Sequence, residues 1–302
     1  MIGRVATLPM SRVLVDGMAR AGGGMVRLQE QLATGKRAAT HADLGTAAVR
    51  TLSARTLLAR EEAQGEAAKA VDTTLALQDA HMNAIADSVG TLRTSLLKAV
   101  GTGKSAGLQQ EIAQAFATFR GALNAREGGV ALFGGGQSNA PFAPETLGET
   151  AGMSPDDAFR NDGVRATARV AEGVDLTYGI GADEIGRGLF EGFRALAELG
   201  PVGTDLTDAD RNGLRAAIDL LGGGLAELGA VNADNGRKRA EVETLAARAK
   251  ERADLLTELV SRHEDADFAE IAVELASRRT QLEASYSVFN QLSELSLVRY
   301  LR

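Results

Sequence analysis

The apolar residues near the end of the chain recur at the spacing of a coiled-coil seam. Successive members lie three, four, seven, four, three and three positions apart: Phe268, Ile271, Leu275, Leu282, Tyr286, Phe289 and Leu292. In a helix this spacing places them on one face, and such a face is stable only when another helix covers it. Apolar residues continue as far as Leu301. The sequence therefore predicts a long final helix that needs a partner.

A second apolar face occurs near the start of the chain. Met18, Met25, Leu28 and Leu32 lie seven, three and four positions apart, which places them on one side of a helix. Residues 1–45 contain six basic and three acidic side chains, whereas residues 241–302 contain eight basic and twelve acidic ones. These opposite net charges favour pairing of the two ends, although exposed ion pairs contribute only about 0–1 kcal/mol each. Two solvated faces with incidental charge are the alternative.

The composition predicts a mainly α-helical protein. Hydrophobic residues make up 44% of the 302, enough for real cores, while aromatic residues make up only 4%. Helical patterns extend over four regions before the final helix: 46–100, 108–126, 185–199 and 211–262. Three glycine triplets, at 22–24, 134–136 and 222–224, stand at expected bends or breaks. We therefore expect a long antiparallel helical bundle or coiled coil with interruptions.

The middle of the chain has a different composition. Between about 128 and 184, Gly, Pro, Asn and Thr separate short apolar pieces, and β-branched residues in VRATARVAEGVDLTYGIG indicate short strands. We expect a small β-containing insertion there. The predicted organisation is terminal assembly helices at 1–45 and 262–302, a helical bundle at 46–127 and 185–261, and the insertion at 128–184.

Charge and residue content argue against several classes of protein. A net charge of −7 with no basic run is the opposite of what nucleic-acid binding needs. The absence of cysteine excludes disulfides and thiol nucleophiles within this sequence. No stretch approaches the roughly 18 apolar residues of a membrane span, and charges interrupt the first twenty residues where a general secretory signal would need an apolar core.

No motif predicts catalysis or a cofactor. GTGKS at 101–105 lacks the first glycine of a phosphate-binding loop, because position 98 is Lys98, and it follows a helical pattern rather than a strand. The three histidines lack metal-ligand spacing. The acidic residues Glu264, Asp265 and Asp267 are expected to start a helix rather than bind a cation. We therefore predict no enzyme activity, no cofactor and no metal site.

Three stretches resemble the bacterial flagellin family. RLQEQLATGKR at Arg27–Arg37 is similar to the family's amino-terminal signature, and LASRRTQLEASYSVFNQLSELSLVRYL at Leu275–Leu301 is similar to its carboxy-terminal helix. LFGGGQSNAPF at Leu132–Phe142 resembles a segment of the family members that join hook to filament. After Arg37 the sequence departs from the family pattern and keeps only Asp43 of an acidic pair.

The resemblance implies a structural subunit of the bacterial flagellum at the hook–filament junction. It implies flagellum-specific export, an extracellular location, and assembly through the terminal helices with its own copies in a helical ring. It also implies contacts with the hook-side junction protein and flagellin, and an export chaperone on the carboxy-terminal helix. The expected interface residues are Met18, Met25, Leu28, Leu32, Leu275, Leu282, Tyr286, Phe289, Leu292, Leu295, Leu297 and Leu301.

Two other functions fit the same residues. A minor filament flagellin would share both terminal signatures and would be found along the whole filament. A cytoplasmic helical scaffold or signalling module would also use coiled-coil seams, but it has little use for a Gly/Pro-rich β segment in the middle of its chain.

Overall fold

Seven helices and four short strands make up the part of the chain that the structure describes. The structure is a computed structural model; it describes the backbone of residues 3–300 and the side chains of residues 12–291. The helices are α1 (Gly3–Thr34), α2 (Ala48–Thr102), α3 (Leu108–Leu123), α4 (Pro155–Ala158), α5 (Ala182–Leu199), α6 (Asp208–Glu264) and α7 (Phe268–Tyr300). The strands are β1 (Arg126–Glu127), β2 (Val130–Ala131), β3 (Ala166–Ala171) and β4 (Val174–Tyr178). The predicted mainly α fold with a small β region is confirmed.

The chain divides into two compact units. The terminal unit comprises Met1–Arg60 and Arg252–Arg302, and the central unit comprises Glu61–Glu251. In the terminal unit, α1 packs along α7. A 3₁₀ turn at His41–Ala47, where Gly45 has a positive φ of 57°, joins the segment after α1 to α2. Helix α1 ends at Thr34, directly before Gly35, whose positive φ of 67° ends the helix.

The central unit is built on two long antiparallel helix segments. Residue pairs from α2 and α6 meet along their length: Arg239 contacts Asp72, Asn235 contacts Leu75, and Arg93 contacts Ile218. A phenylalanine core forms where α3 and α5 join them. Its six rings stack edge-on or tilted at centroid separations between 5.1 and 6.4 Å: Phe116, Phe119, Phe142, Phe159, Phe190 and Phe193.

Two antiparallel hairpins lie between α3 and α5. Strand β1 pairs with β2, and β3 pairs with β4 with an irregularity between Arg169 and Ala171. Val170 of β3 is fully buried in a small apolar cluster with residues of α2 and α6. On the outer side of the same hairpin, the Arg169 guanidinium binds both oxygens of Asp175. The hairpin is therefore fixed to the helices by its apolar side.

Two of the three predicted glycine breaks are wrong. α1 continues through Gly22–Gly24 and α6 continues through Gly222–Gly224. A Cβ at Gly224 would lie 2.5 Å from the Leu189 backbone nitrogen, so this glycine allows α5 to approach α6 closely. Only the triplet at 134–136 is a turn, and the Gly136 amide donates to the carboxylate of Asp162 at 2.8 Å. That contact, together with the Val164 amide, lowers the pKa of Asp162.

The acidic segment after His263 only partly matches its prediction. Asp267 begins α7 as expected, because its Oδ1 accepts from the amides of Ala269 and Glu270 at 2.9 and 3.2 Å. Glu264, however, is the last residue of α6, and Asp265 lies between the helices. Both of these carboxylates bind basic side chains instead of starting a helix.

Candidate assembly interface

Helices α1 and α7 run antiparallel within the terminal unit. Gly35, directly after α1, faces the first residue of α7, because a Cβ on this glycine would lie 3.7 Å from Phe268 Cζ. Ten residues further along α7, Arg278 lies across Gly24. Between these two contacts the residue number falls along α1, from 35 to 24, while it rises along α7, from 268 to 278. The opposite charges of the two ends fit either orientation, whereas the predicted bundle is antiparallel, and the structure has the antiparallel orientation.

The facing sides of α1 and α7 carry small and apolar residues. Ala21, Gly24 and Leu28 are buried on α1, and Ile271 is buried on α7. A Cβ at Gly24 would lie 2.5 Å from the Arg278 Nη1 atom, so the glycine leaves room for the guanidinium. Glu274 holds that guanidinium with hydrogen bonds of 3.0 and 2.7 Å. The small size of Gly24 therefore allows α1 and α7 to pack closely around Arg278.

A cluster of backbone and charged contacts joins the end of α1 to the α6–α7 connection; we call Lys36, Arg37, Glu264 and Asp265 the terminal clasp. The Arg37 amide donates to the Glu264 carbonyl at 2.7 Å, and the Ala266 amide donates to the Gly35 carbonyl at 3.0 Å. Lys36 Nζ donates to Asp265 Oδ1 at 2.6 Å. The hydrogen bond from Lys36, with a smaller contribution from Ser261, lowers the pKa of Asp265.

Glu264 is the buried member of the terminal clasp. Its side chain is 6% exposed, and Arg55 of α2 donates to its Oε2 atom. Lys36 Nζ lies 3.8 Å from the same oxygen. The hydrogen bond to Glu264 raises the pKa of Arg55. A buried carboxylate with basic partners is strongly destabilising when those partners are removed. The clasp therefore fixes the point where the chain's early and late segments meet.

The remaining sides of these helices expose apolar side chains. Val13, Val26, Phe268, Val273 and Tyr286 are each more than half exposed. Single exposed apolar residues are common on protein surfaces, but several on one pair of helices are typical of a surface that another protein covers. The terminal unit thus has one apolar side satisfied within the chain and others that are open.

The structure gives the predicted interface residues three kinds of position. Leu28 is buried, and Met18, Met25, Leu275, Leu282 and Phe289 are half-buried. Leu32 and Tyr286 are exposed, at 48% and 55%. The side chains of Leu292, Leu295, Leu297 and Leu301 lie outside the described residues. Whether any of these residues contacts another molecule stays a prediction.

The sequence prediction missed the contacts of the terminal clasp. The sequence indicated pairing of the two ends only through their opposite net charges, and net charge does not identify which side chains form contacts. The hydrogen bonds from Lys36 to Asp265 and from Arg55 to Glu264 join residues more than 200 positions apart. Arg55 also lies in a helix that the sequence assigned to a different part of the molecule.

The described residues contain neither a group of three metal-binding side chains nor a helix long and apolar enough to cross a membrane. In the GTGKS segment the Lys104 ammonium binds Asp205, and Ser105 donates to the Gly203 carbonyl. These residues form a connection between two helices. The GTGKS segment therefore ends α2 and leads into α3, in agreement with the helical pattern that precedes it.

The comparison with known families falls on most of α6 and on α7. Residues 218–301 match the bacterial flagellin C-terminal helical region. This match confirms the predicted resemblance to flagellin in the carboxy-terminal part of the chain. It includes all of α7 that the structure describes. No curated protein shows significant sequence similarity to the whole chain.

Two solved structures with a similar fold are of flagellar proteins. One is described as a flagellar hook-associated protein from Vibrio parahaemolyticus: the TM-score is 0.62 at 16% identity, over 74% of this chain and 100% of that one. Another is Bacillus cereus FlgL, with a TM-score of 0.58 at 14% identity, over 69% of this chain and 99% of that one. At these identities the likeness concerns the fold.

Proposed function

We propose that this protein is a structural subunit of the bacterial flagellum that joins hook to filament and assembles through its terminal unit. The observation that carries the proposal is the pairing of α1 with α7, the helix that the flagellin C-terminal match covers. The fold shared with a hook-associated protein supports the same function. The Leu132–Phe142 segment supports the junction in particular, and its two phenylalanines, Phe133 and Phe142, are buried in the central core.

The open apolar side chains of the terminal unit supply the driving force for assembly. Burying one fully exposed large apolar side chain contributes roughly 1.5–3 kcal/mol, so these five residues, each between half and three-quarters exposed, contribute on the order of 5–9 kcal/mol before ordering costs. Because α1 and α7 already cover each other's buried face, a neighbouring subunit would contact Val26, Val273 and Tyr286 on their outer sides. A charge placed there would remain unpaired in the assembled contact, which is strongly unfavourable.

Substitution of Val273 tests this proposal. Val273 is 72% exposed on α7, so Val273→Asp should leave the monomer folded. We expect cells whose sole copy carries it to lose filament attachment and swimming. Val164→Asp is the matched control, because Val164 is 61% exposed but belongs to the central unit. Normal filaments in the Val273→Asp strain, with a folded variant by circular dichroism, would contradict assembly through this surface.

The position of the protein distinguishes the junction from a minor filament flagellin. Immunogold labelling is expected only at the proximal end of each filament. Label along the whole filament would favour the minor flagellin, which would share the same terminal pairing. Label confined to the cytoplasm, unchanged when flagellar export is disabled, would favour a helical scaffold and contradict both flagellar functions.

We also propose an export chaperone on α7 and, within the flagellum, neighbours that include flagellin and the hook-side junction protein. The exposed Phe268, Val273 and Tyr286 on this helix support a protective partner before assembly. Adding the candidate chaperone to the monomer should slow amide hydrogen exchange in α7. Slowing that spares α7 and occurs only in the central unit would contradict this partner site.

A further inference from the structure

One long helix of the central unit carries a polar residue in an otherwise apolar buried series. In α6 the residues seven positions apart are all buried: Leu214, Leu221, Leu228, Asn235, Val242 and Ala249. Asn235 is 1% exposed. A polar residue in such a series costs stability and is typically kept for structural specificity. Asn235 therefore needs an explanation.

The opposite helix has a polar residue at the same level. In α2 the residues seven positions apart are Val71, Gln78, Ile85, Leu92 and Ala99, and all five are buried. Gln78 is 1% exposed and lies one helical turn from Leu75. The Asn235 Nδ2 atom donates to the Leu75 carbonyl at 2.9 Å. The two buried amides thus occupy one level of the antiparallel pair.

Each of these amides has a buried oxygen that is not satisfied. The Gln78 Nε2 atom donates to the Leu132 carbonyl at 3.1 Å, but Gln78 Oε1 and Asn235 Oδ1 have no hydrogen-bond partner among the described residues. A buried acceptor without a partner destabilises the state that buries it. This level of the pair is therefore weaker than the apolar levels on either side.

Further polar contacts surround the two amides. Asn232 Nδ2 donates to Asn83 Oδ1 at 2.9 Å, and Arg239 Nε donates to Asp72 Oδ1 at 3.1 Å. We call Gln78, Asn235 and the Asn232–Asn83 pair the polar layer; the Arg239–Asp72 pair lies beside it on the side of Leu75 and Val242. Two cavities adjoin it, one lined by Gln78 and the other by Asn235, and both border Gly179 and Ile180 at the end of β4. The polar layer therefore adjoins cavities on the side where the β3–β4 hairpin ends.

The polar layer coincides with a gap between two apolar clusters. The large cluster contains the phenylalanine core and reaches the layer at Met82 on α2 and Leu228 on α6. The small cluster, on the other side, consists of Ala68, Val71, Leu75, Val170 and Val242. Val170 is its buried residue from the β3–β4 hairpin, and partly buried residues of the same hairpin also pack against it: Ala168, Val174, Leu176 and Tyr178. The hairpin is therefore anchored to the small cluster.

We propose that the polar layer divides the central unit into two parts that open independently. The first part is the β3–β4 hairpin with residues 61–77 and 236–251, and the second is the phenylalanine core with the rest of the unit. Local opening in proteins follows cooperative segments, and segments with few buried apolar contacts open most often. The small cluster has few such contacts, and unsatisfied amides mark its border.

Amide hydrogen exchange of the full chain at neutral pH tests the division. In the natural protein, exchange in residues 61–77, 166–178 and 236–251 should be at least about tenfold faster than in α3 and α5. The double variant Gln78→Leu with Asn235→Leu joins the two clusters through apolar contacts. We expect this variant to slow amide exchange in the first part by about tenfold or more. The difference in exchange rate between the two parts should therefore become smaller.

The double variant Gln114→Leu with Asn212→Leu is the matched control, since both residues are exposed in α3 and α6. It should leave the difference between the two parts unchanged. Equal exchange of both parts in the natural protein would overturn the proposal. So would a difference that persists unchanged in a folded Gln78→Leu, Asn235→Leu variant.

A second variant keeps the proposal testable if the double leucine variant does not fold. Val170→Ala removes apolar contacts from the small cluster alone. Independent opening predicts that exchange accelerates about tenfold in the hairpin and in residues 61–77 and 236–251, while α3 and α5 keep their rates. Equal acceleration in α3 and α5 would show one cooperative unit and would overturn the proposal.

Discussion

At the scale of single residues, Asp265 links the terminal clasp to pH. Its pKa lies below the ordinary value of 3.8 because Lys36 donates a hydrogen bond to it and Ser261 donates another. A carboxylate whose pKa is lower in the folded state stabilises that state above its unfolded pKa. This stabilisation is lost as the pH falls below about 3.8 and through the folded value.

We therefore expect Asp265→Asn to lower the melting temperature at pH 7, by the equivalent of up to about 1 kcal/mol because the ion pair is exposed. The difference from the natural protein should shrink as the pH falls below 3.8. Melting curves from pH 7 to pH 3 measure it. Asp219→Asn, an exposed change of the same charge in α6, is the control. A difference that grows with acid would contradict the stated role of Lys36.

Two adjacent glycines of α6 should respond in opposite ways to the same substitution. At Gly224 a Cβ would lie 2.5 Å from the Leu189 nitrogen and 2.6 Å from the Gly188 carbonyl carbon, so Gly224→Ala should destabilise the fold by about 1–3 kcal/mol. At Gly223 a Cβ would meet nothing within 4 Å, so Gly223→Ala should stabilise the helix by about 0.5–1 kcal/mol. Denaturant unfolding measures both. Effects of the same sign would contradict the close approach of α5 and α6.

At the scale of elements, the start of α6 depends on one reciprocal cap. The Asp210 amide donates to Thr207 Oγ1 at 3.2 Å, and the Thr207 amide donates to Asp210 Oδ2 at 2.8 Å. The bonds from Thr207 lower the pKa of Asp210. Thr207→Ala should reduce the free energy of unfolding by about 1 kcal/mol. Thr257→Ala, about two turns before the end of the same helix, should be neutral or slightly stabilising, and an equal loss in both variants would contradict the cap.

The helices were predictable because their apolar spacing and their end signals agree. The end of α1 before Gly35, the cap at Thr207 and the start of α7 at Asp267 all depend on local chemistry that can be read in the sequence. The glycine triplets in α1 and α6 were wrongly predicted to be breaks because the contacts that require glycine there involve residues far away in the sequence. Gly24 makes room for Arg278, and Gly224 makes room for Leu189, which lies in another element. A glycine that serves a distant neighbour looks the same in the sequence as one that serves a turn.

The seam of the last helix was predictable only in part. Spacing correctly placed Ile271, Leu275 and Leu282 on buried or half-buried positions, but it also included Phe268 and Tyr286, which are exposed. Heptad spacing defines a broad apolar face, and the partner covers only part of it. Which part is covered depends on the contacts that α1 makes with α7, and the apolar spacing alone does not specify those contacts.

At the scale of the whole molecule, both apolar clusters lie entirely within the central unit. We therefore expect a fragment of residues 61–251 to keep its helices and to unfold cooperatively, since the fragment includes its complete core. Circular dichroism and thermal unfolding measure this. Residues 61–200 are the comparison, because that fragment lacks α6 and should be largely unfolded. A fragment 61–251 without a cooperative transition would contradict a self-sufficient core.

The terminal clasp also sets an order of events in time. Lys36 and Arg55 come early in synthesis, whereas Glu264 and Asp265 come more than 200 residues later. At roughly 5–20 residues per second, the first helix waits at least about 10 s for its partner. The central unit can complete its core only towards the end of that wait, because its core includes residues of α6. The same delay recurs whenever the chain is delivered one end first. The pairing of α1 with α7 is then the last pairing of helices to form.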